Sequence, residues 1–224
     1  MNRVLITGSS SGIGRVIANH LKTLGYTVFT TGRREGVDFR ADLKDPTAVQ
    51  ALAERVGEID ILINNAGAYV HGAVEKMDYD SILGMTQVNF IAPYYLTSLV
   101  VKGMKAKRWG RIINIGSISG VVGEASASLY STTKAGLIGM TKSLALELAQ
   151  DGITVNTINP GWVSGTEIDC ENDDFNKSET LETIPQKRFI EPVEIAKMVE
   201  YLISDGAKGV TGQSINLCAG LSVG

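Results

Sequence analysis

Residues 3–14 read Arg-Val-Leu-Ile-Thr-Gly-Ser-Ser-Ser-Gly-Ile-Gly, and that stretch decides the fold. The apolar, β-branched run from Arg3 to Thr7 has strand character. It breaks at once into a turn of glycine and serine, and a helical pattern follows from Ile13 to Leu24. Strand, tight glycine turn and helix in that order make the first half of a βαβ unit. The turn also has the makings of a phosphate cradle. Gly8, Gly12 and Gly14, interleaved with Ser10, Ser11 and Ile13, let the backbone bend sharply and come close to a ligand. The helix start adds unpaired N–H groups and the positive end of a dipole, which suit an anion. The spacing is Gly-xxx-Gly-x-Gly rather than the commoner Gly-x-Gly-x-x-Gly. A glycine-rich turn says little alone; its place between an N-terminal strand and a helix gives it weight.

Working outward, short β-rich runs alternate with longer helical patterns, the signature of a parallel α/β sheet. The expected strands are Arg3 to Thr7, Thr27 to Thr31, Val37 to Ala41, Ile59 to Asn64, Arg111 to Ile115, Thr154 to Asn159 and Gln213 to Leu217. The expected helices are Ile13 to Leu24, Pro46 to Val56, Asp80 to Lys107, Thr132 to Ala149 and Pro192 to Ser204. No linker or repeat interrupts them, so residues 1–224 are expected to form one domain. Only five residues separate Thr31 from Val37, whereas a parallel crossover normally takes a helix. The helix between the second and third strands is therefore expected to be missing. Ser164 to Pro185 is polar and acidic, and a stretch that long without periodicity reads as a functional loop.

Composition narrows the classes. Hydrophobic residues make up 44% and charged residues 20%, with a net charge of −3, which gives no reason to expect nucleic acid or an anionic membrane as partner. Two cysteines, Cys170 and Cys218, are too few for a disulfide framework and lack metal-ligand spacing. No signal peptide is expected at the start, and no apolar run approaches the ~20 residues of a membrane span. A cytoplasmic protein without a metal is the expectation.

The second strand ends in Gly32-Arg33-Arg34, with no carboxylate before Glu35. In dinucleotide folds an acid near this point binds the ribose 2′-OH of NAD, while arginine accommodates the 2′-phosphate of NADP. Two arginines at a strand end otherwise read as solvated side chains, but a guanidinium can grip a phosphate bidentately. NADP(H) is the preferred cofactor on this reading, and NAD(H) the alternative. The preference rests on Arg33, with Arg34 and Arg40 nearby.

Further along come Asn64-Asn65-Ala66-Gly67, Ser117, and then Tyr130 and Lys134. Tyr130 and Lys134 are four apart and so share a helix face. A phenol with a pKa near ~10 needs a neighbouring cation to work as a base at neutral pH, and an ammonium can supply it. Ser117 ends the run Ile112 to Gly116, at the carboxyl edge of a strand where open α/β sheets bind ligands. Its hydroxyl could donate to a substrate oxygen.

In this order and at these intervals, thirteen positions from Ser117 to Tyr130 included, the sequence resembles the short-chain dehydrogenase/reductase family in its compact single-domain form. The likeness runs from the first strand to Thr211-Gly212-Gln213. It implies a doubly wound Rossmann fold, a parallel seven-stranded sheet with helices on both faces. It implies an oxidoreductase that moves hydride between a nicotinamide and a carbonyl or secondary alcohol, with Tyr130 as general acid/base and transfer of the pro-S hydrogen. Asn89 matches the family's fourth catalytic residue, which holds a water linking Lys134 to solvent. Asp42, with Leu43 beside it, matches the adenine contact, and Asn65, Ala66 and Gly67 the segment beside the adenine ribose. Pro160, Gly161 and Val163 match the turn at the nicotinamide amide, and Lys134 also the lysine on the nicotinamide ribose. Thr166 falls one residue beyond the usual spacing for a cofactor contact. Family habit implies a homotetramer or homodimer built on the helices around Asp80 to Lys107 and Thr132 to Ala149.

The patterns Ile184-Pro185, Arg188-Phe189 and Thr211-Gly212-Gln213 are most similar to those of 3-oxoacyl-carrier-protein reductases. Residues 164–190 would then form the substrate loop region. Of the two arginines that dock the acidic carrier there, Arg108 matches one, while Asp151 stands at the other position. With Glu167, Asp169, Glu171, Asp173 and Asp174 in the loop, an acidic partner would be repelled, so a small carbonyl or alcohol is ranked first. An NAD-dependent alcohol dehydrogenase, and a nucleotide-sensing regulator without chemistry, are the further alternatives.

Overall fold

Alternation in the first strand shows why the sheet has helices on both sides. In the computed structural model, which describes residues 2–166 and 177–223, β1 is Arg3–Thr7. Val4 and Ile6 point to one face and Leu5 to the other, and all three are fully buried. The first face packs on α1 (Gly12–Thr23) through Ile17, Ala18 and Leu21, and on α8 (Pro192–Ile203) through Ile195, Val199 and Leu202. The second packs on α2 (Pro46–Val56), α4 (Ala92–Lys107) and α6 (Ser128–Leu148), around Leu62, Ile112 and Val155. Each fully buried aliphatic chain contributes roughly 1.5–3 kcal/mol, so neither face can be left bare.

The remaining strands are β2 (Thr27–Gly32), β3 (Phe39–Arg40), β4 (Ile61–Asn64), β5 (Gly110–Ile115), β6 (Ile153–Pro160) and β7 (Ser214–Leu217). They form a seven-stranded sheet in the order β3-β2-β1-β4-β5-β6-β7, and every pairing is parallel. The chain order reverses between β1 and β4, which opens a crevice at their carboxyl ends. This is the doubly wound architecture expected.

Four local features differ from the sequence reading or add to it. The connection from β2 to β3 lacks a helix, as expected, but β3 shrinks to two residues. Asp38 stabilises the short return by accepting hydrogen bonds from the Thr30 amide (2.8 Å) and hydroxyl (2.7 Å), and Gly36 turns with φ +82°. The long helix expected from Asp80 to Lys107 is three segments: α3 (Tyr79–Thr86), a π turn (Gln87–Ile91) and α4. The helix carrying Tyr130 starts at Ser128, four residues earlier than the pattern from Thr132 suggested, and a one-turn helix α5 (Ser119–Val122) precedes it. Finally, part of the stretch read as loop is helix α7 (Lys177–Thr183). Glu167, Asp169, Cys170, Glu171, Asp173 and Asp174 lie outside the described residues. No helix among the described residues is long and apolar enough to cross a membrane.

Candidate active site

The turn after β1 is braced by three side chains. Ser9 donates its hydroxyl to the carbonyls of Ile6 and Thr31 and accepts from the Thr31 amide at 3.0 Å, tying the turn to β2. The Thr7 hydroxyl accepts from the amides of Asn65 and Ala66, both at 3.0 Å, which ties it to the end of β4. The Asn65 side chain donates to the carbonyls of Thr7 and Gly8 (2.9 and 3.1 Å). A Cβ on Gly14 would lie 2.4 Å from that amide and from the Gly8 carbonyl, and one on Gly8 (φ +66°) 2.6 Å from Ala66. Gly12, by contrast, opens α1 with φ +51° and nothing within 4 Å of where its side chain would be. Two glycines are there for close packing, and the third bounds open space. Ser10 packs over Gly32 at the end of β2, and Ser11 takes the N-cap position without spending its side chain on the helix. Arg33 and Arg34 follow the carboxyl end of β2, and both are exposed.

Not every expected contact residue offers its side chain. Leu43 is buried in the core, and so is Val163, whose backbone bridges Ile190. The Asp42 carboxylate accepts the Lys44 amide at 3.0 Å and shapes its own turn. The Thr166 hydroxyl donates to the Val163 carbonyl at 3.0 Å. Gly161 is pressed against Cys218, and its amide donates to the Leu217 carbonyl, so the Pro160-Gly161 turn is pinned beside β7.

At the carboxyl ends of β4 and β5 the other expected residues come together. Lys134, buried, donates from Nζ to the Ile115 carbonyl at 2.9 Å and stands 5.6 Å from the Tyr130 ring centre. Asn89, fully buried in the π turn, grips Ala68 through both backbone groups: Oδ1 accepts its amide at 2.7 Å and Nδ2 donates to its carbonyl at 2.9 Å. Nδ2 also donates to the Thr133 hydroxyl, which donates to the Tyr130 carbonyl. A methyl group at Gly67 would sit 3.6 Å from Lys134 Nζ and 3.8 Å from Asn89 Oδ1, so the two meet around that glycine. Ser117, Tyr130, Lys134 and Asn89 thus occupy one end of the crevice.

Electrostatics there departs from expectation in one respect. Burial pushes the Tyr130 phenol up to about 12, while the Ser117 hydroxyl pulls it down and the Glu124 carboxylate adds to the rise. The lowering expected from Lys134 does not win: burial is the largest influence on the phenol, and the ammonium is bound to the Ile115 carbonyl, 5.6 Å from the ring centre. Burial takes Lys134 down to about 8. Tyr130 is therefore held protonated at neutral pH.

Sequence reasoning missed several neighbours. Ser117 donates to the Ser119 hydroxyl at 3.1 Å, Ser119 donates to Glu124 at 2.5 Å, and Tyr69 donates to the other Glu124 oxygen at 2.8 Å. The Tyr69 ring meets the Tyr130 ring edge-on at 4.9 Å. An acid seven residues beyond Ser117 in a glycine- and alanine-rich stretch carries no pattern that would single it out.

A family model described as short chain dehydrogenase matches residues 2–177. The chain is a short-chain dehydrogenase. Among the relatives of this dehydrogenase are the 3-oxoacyl-acyl-carrier-protein reductases FabG of Vibrio harveyi and Haemophilus influenzae. Each is 36% identical over 97% of this chain and 96% of the relative. A provisionally assigned ketoacyl reductase of the granaticin polyketide synthase in Streptomyces violaceoruber is 37% identical over 97% of this chain and 92% of its own. A solved structure of a variant actinorhodin polyketide ketoreductase with NADPH superposes with a TM-score of 0.91 at 34% identity, covering 100% of this chain and 98% of that one. The dehydrogenase shares their fold and is an oxidoreductase of their family.

Proposed function

We propose that this dehydrogenase reduces a small carbonyl compound with NADP(H), and oxidises the corresponding alcohol in the reverse direction, with Tyr130 as the acid/base. The convergence of Ser117, Tyr130, Lys134 and Asn89 on one crevice end carries the reading. The turn from Gly8 to Gly14 fits a dinucleotide, since Gly12 borders open space in which a side chain would intrude. Its backbone would hold the pyrophosphate, and Arg33 the 2′-phosphate. Lys134 would hold the nicotinamide ribose, and the backbone of Pro160 to Val163 the amide. When bound, the nicotinamide supplies or accepts the hydride at the substrate carbon.

The chain's own residues do the rest. Ser117 turns its hydroxyl from Ser119 to the substrate oxygen, and Tyr130 donates a second hydrogen bond to it. As negative charge grows on that oxygen, the Tyr130 proton moves onto it. Lys134 stabilises the phenolate left behind and passes a proton back to it, and Asn89 fixes the loop around Gly67 through which solvent reaches Lys134.

NADP(H) is further supported by the NADPH named with the actinorhodin ketoreductase. Arg33→Ala should raise the KM for NADPH about tenfold while moving the KM for NADH less than twofold, in line with one lost charge-assisted contact. Equal effects on both would contradict the NADP preference.

A carrier-bound substrate is the second reading, favoured by what the Vibrio harveyi and Haemophilus influenzae relatives are named for. Arg108, one of the two positions in question, donates instead to the Gln150 carbonyl at 2.8 Å, and Asp151 pairs with Lys105 at 3.4 Å. A free small substrate therefore ranks first. The ordinary charge balance and the two cysteines support a cytoplasmic setting.

A further inference from the structure

Beside the reacting groups stands one acid that the proposed chemistry does not use. Glu124 sits on the loop between α5 and α6, and it is joined across the crevice to Tyr69 on the loop after β4. The two loops are also stitched by backbone, the Gly72 amide donating to the Ser126 carbonyl at 2.8 Å. Tyr69 rests edge-on against Tyr130 and lies 6.4 Å from the His71 ring in a stacked arrangement. Tyr69 and Glu124 thus close one wall of the space next to the Tyr130 hydroxyl.

The charge on that wall is poorly compensated. Glu124 accepts two hydroxyl hydrogen bonds, from Ser119 and Tyr69, and among the described residues no Lys, Arg or His forms an ion pair with it. Lys134 is bound to the Ile115 carbonyl and faces the Tyr130 ring. The field of Glu124 reaches the reacting hydroxyl, since it opposes ionisation of both Tyr69 and Tyr130. A carboxylate so placed works against the negative charge that develops on the substrate oxygen. It is a handicap to the chemical step and calls for a purpose in binding. Like charges in a half-buried site repel strongly because little water screens them.

We propose that Glu124, held by Tyr69 and Ser119, selects the substrate by charge. It admits carbonyl compounds that are neutral beside the carbonyl and turns away those bearing a carboxylate there. This rests on the carbonyl-reducing reading above. Exclusion by an unpaired like charge is a recognised route to specificity.

The test compares two probes of nearly equal shape, 3-oxobutanamide and the 3-oxobutanoate anion. In the wild-type enzyme kcat/KM for the amide should exceed that for the anion by about tenfold or more, the size expected for like charges a few ångströms apart. Glu124→Gln should narrow the ratio to within about threefold, whereas Tyr69→Phe, which keeps the charge, should preserve it. Calorimetric titration of both probes into the enzyme–NADP⁺ complex should show the same ratios in Kd. Equal wild-type values for amide and anion, which need no variant, would overturn the proposal. So would an unchanged ratio in a folded Glu124→Gln protein. Absence of turnover with every ketone would defeat the reading of the reaction instead, and the titration would still decide the charge selection.

Discussion

Burial holds Lys134 near 8, more than two pKa units below its ordinary value, and gives it one fixed partner, the Ile115 carbonyl. The folded protein resists charging this side chain, so stability falls as pH drops from ~10.5 toward ~8 and is level below that. At neutral pH the cost is about 3 kcal/mol, a large share of a typical domain's margin. In the proposed mechanism the sign for activity is opposite, because Lys134, assigned there to restore the Tyr130 proton, loses its charge as pH rises through about 8. Tyr130 itself stays protonated until about 12, so the limb belongs to the lysine. The kcat/KM for reduction should therefore fall above pH 8. In Lys134→Arg, whose guanidinium stays charged, the fall should move up by at least about one pH unit even though turnover is slower. A limb that stays at pH 8 in that variant would contradict the assignment.

Among the elements, the segment from Tyr79 to Lys107 shows how far periodicity can be trusted. Its apolar spacing gave one long helix, and the backbone is helical throughout, but the π turn at Gln87–Ile91 interrupts it. The extra residue in that turn aims Asn89 inward at Ala68, and π turns recur at functional positions for this reason. Within the expected helix from Asp80 to Lys107 no spacing singles out Asn89; only its match to the family does. The start of α6 was missed for a related reason. Ser128 and Ser131 are weak helix formers, and packing of the Tyr130 turn against α5 overrides that preference. The outer faces of α4 and α6 expose Tyr94 and, at 84% of its surface, Leu146. We propose that these faces pair in a homodimer or homotetramer. Sedimentation equilibrium at micromolar concentration should give at least twice the 23.9 kDa chain mass, and Leu146→Glu should lower it; a monomeric wild type would contradict the pairing.

For the whole molecule, the alternation of short β-rich runs with helical patterns, and the glycine turn after β1, were enough to place the strands and the crevice. Ser117, Tyr130 and Lys134 were legible through their order and intervals, which resemble the family's; the helix pattern alone began at Thr132 and left Tyr130 outside it. The Glu124–Tyr69 bridge was not, since it joins loops 55 residues apart through side chains that follow no period. The raised phenol was also hidden, because burial is a property of the packed fold and no spacing records it. The account stands on Tyr130 as the group that gives the substrate oxygen its proton. The most direct measurement is NADPH oxidation by Tyr130→Phe with a ketone that the wild-type enzyme reduces, set beside NADPH binding by fluorescence. Turnover should fall by at least about a thousandfold with the Kd for NADPH within about threefold of wild type. A variant that still reduces the ketone at a tenth of the wild-type rate or better would contradict it.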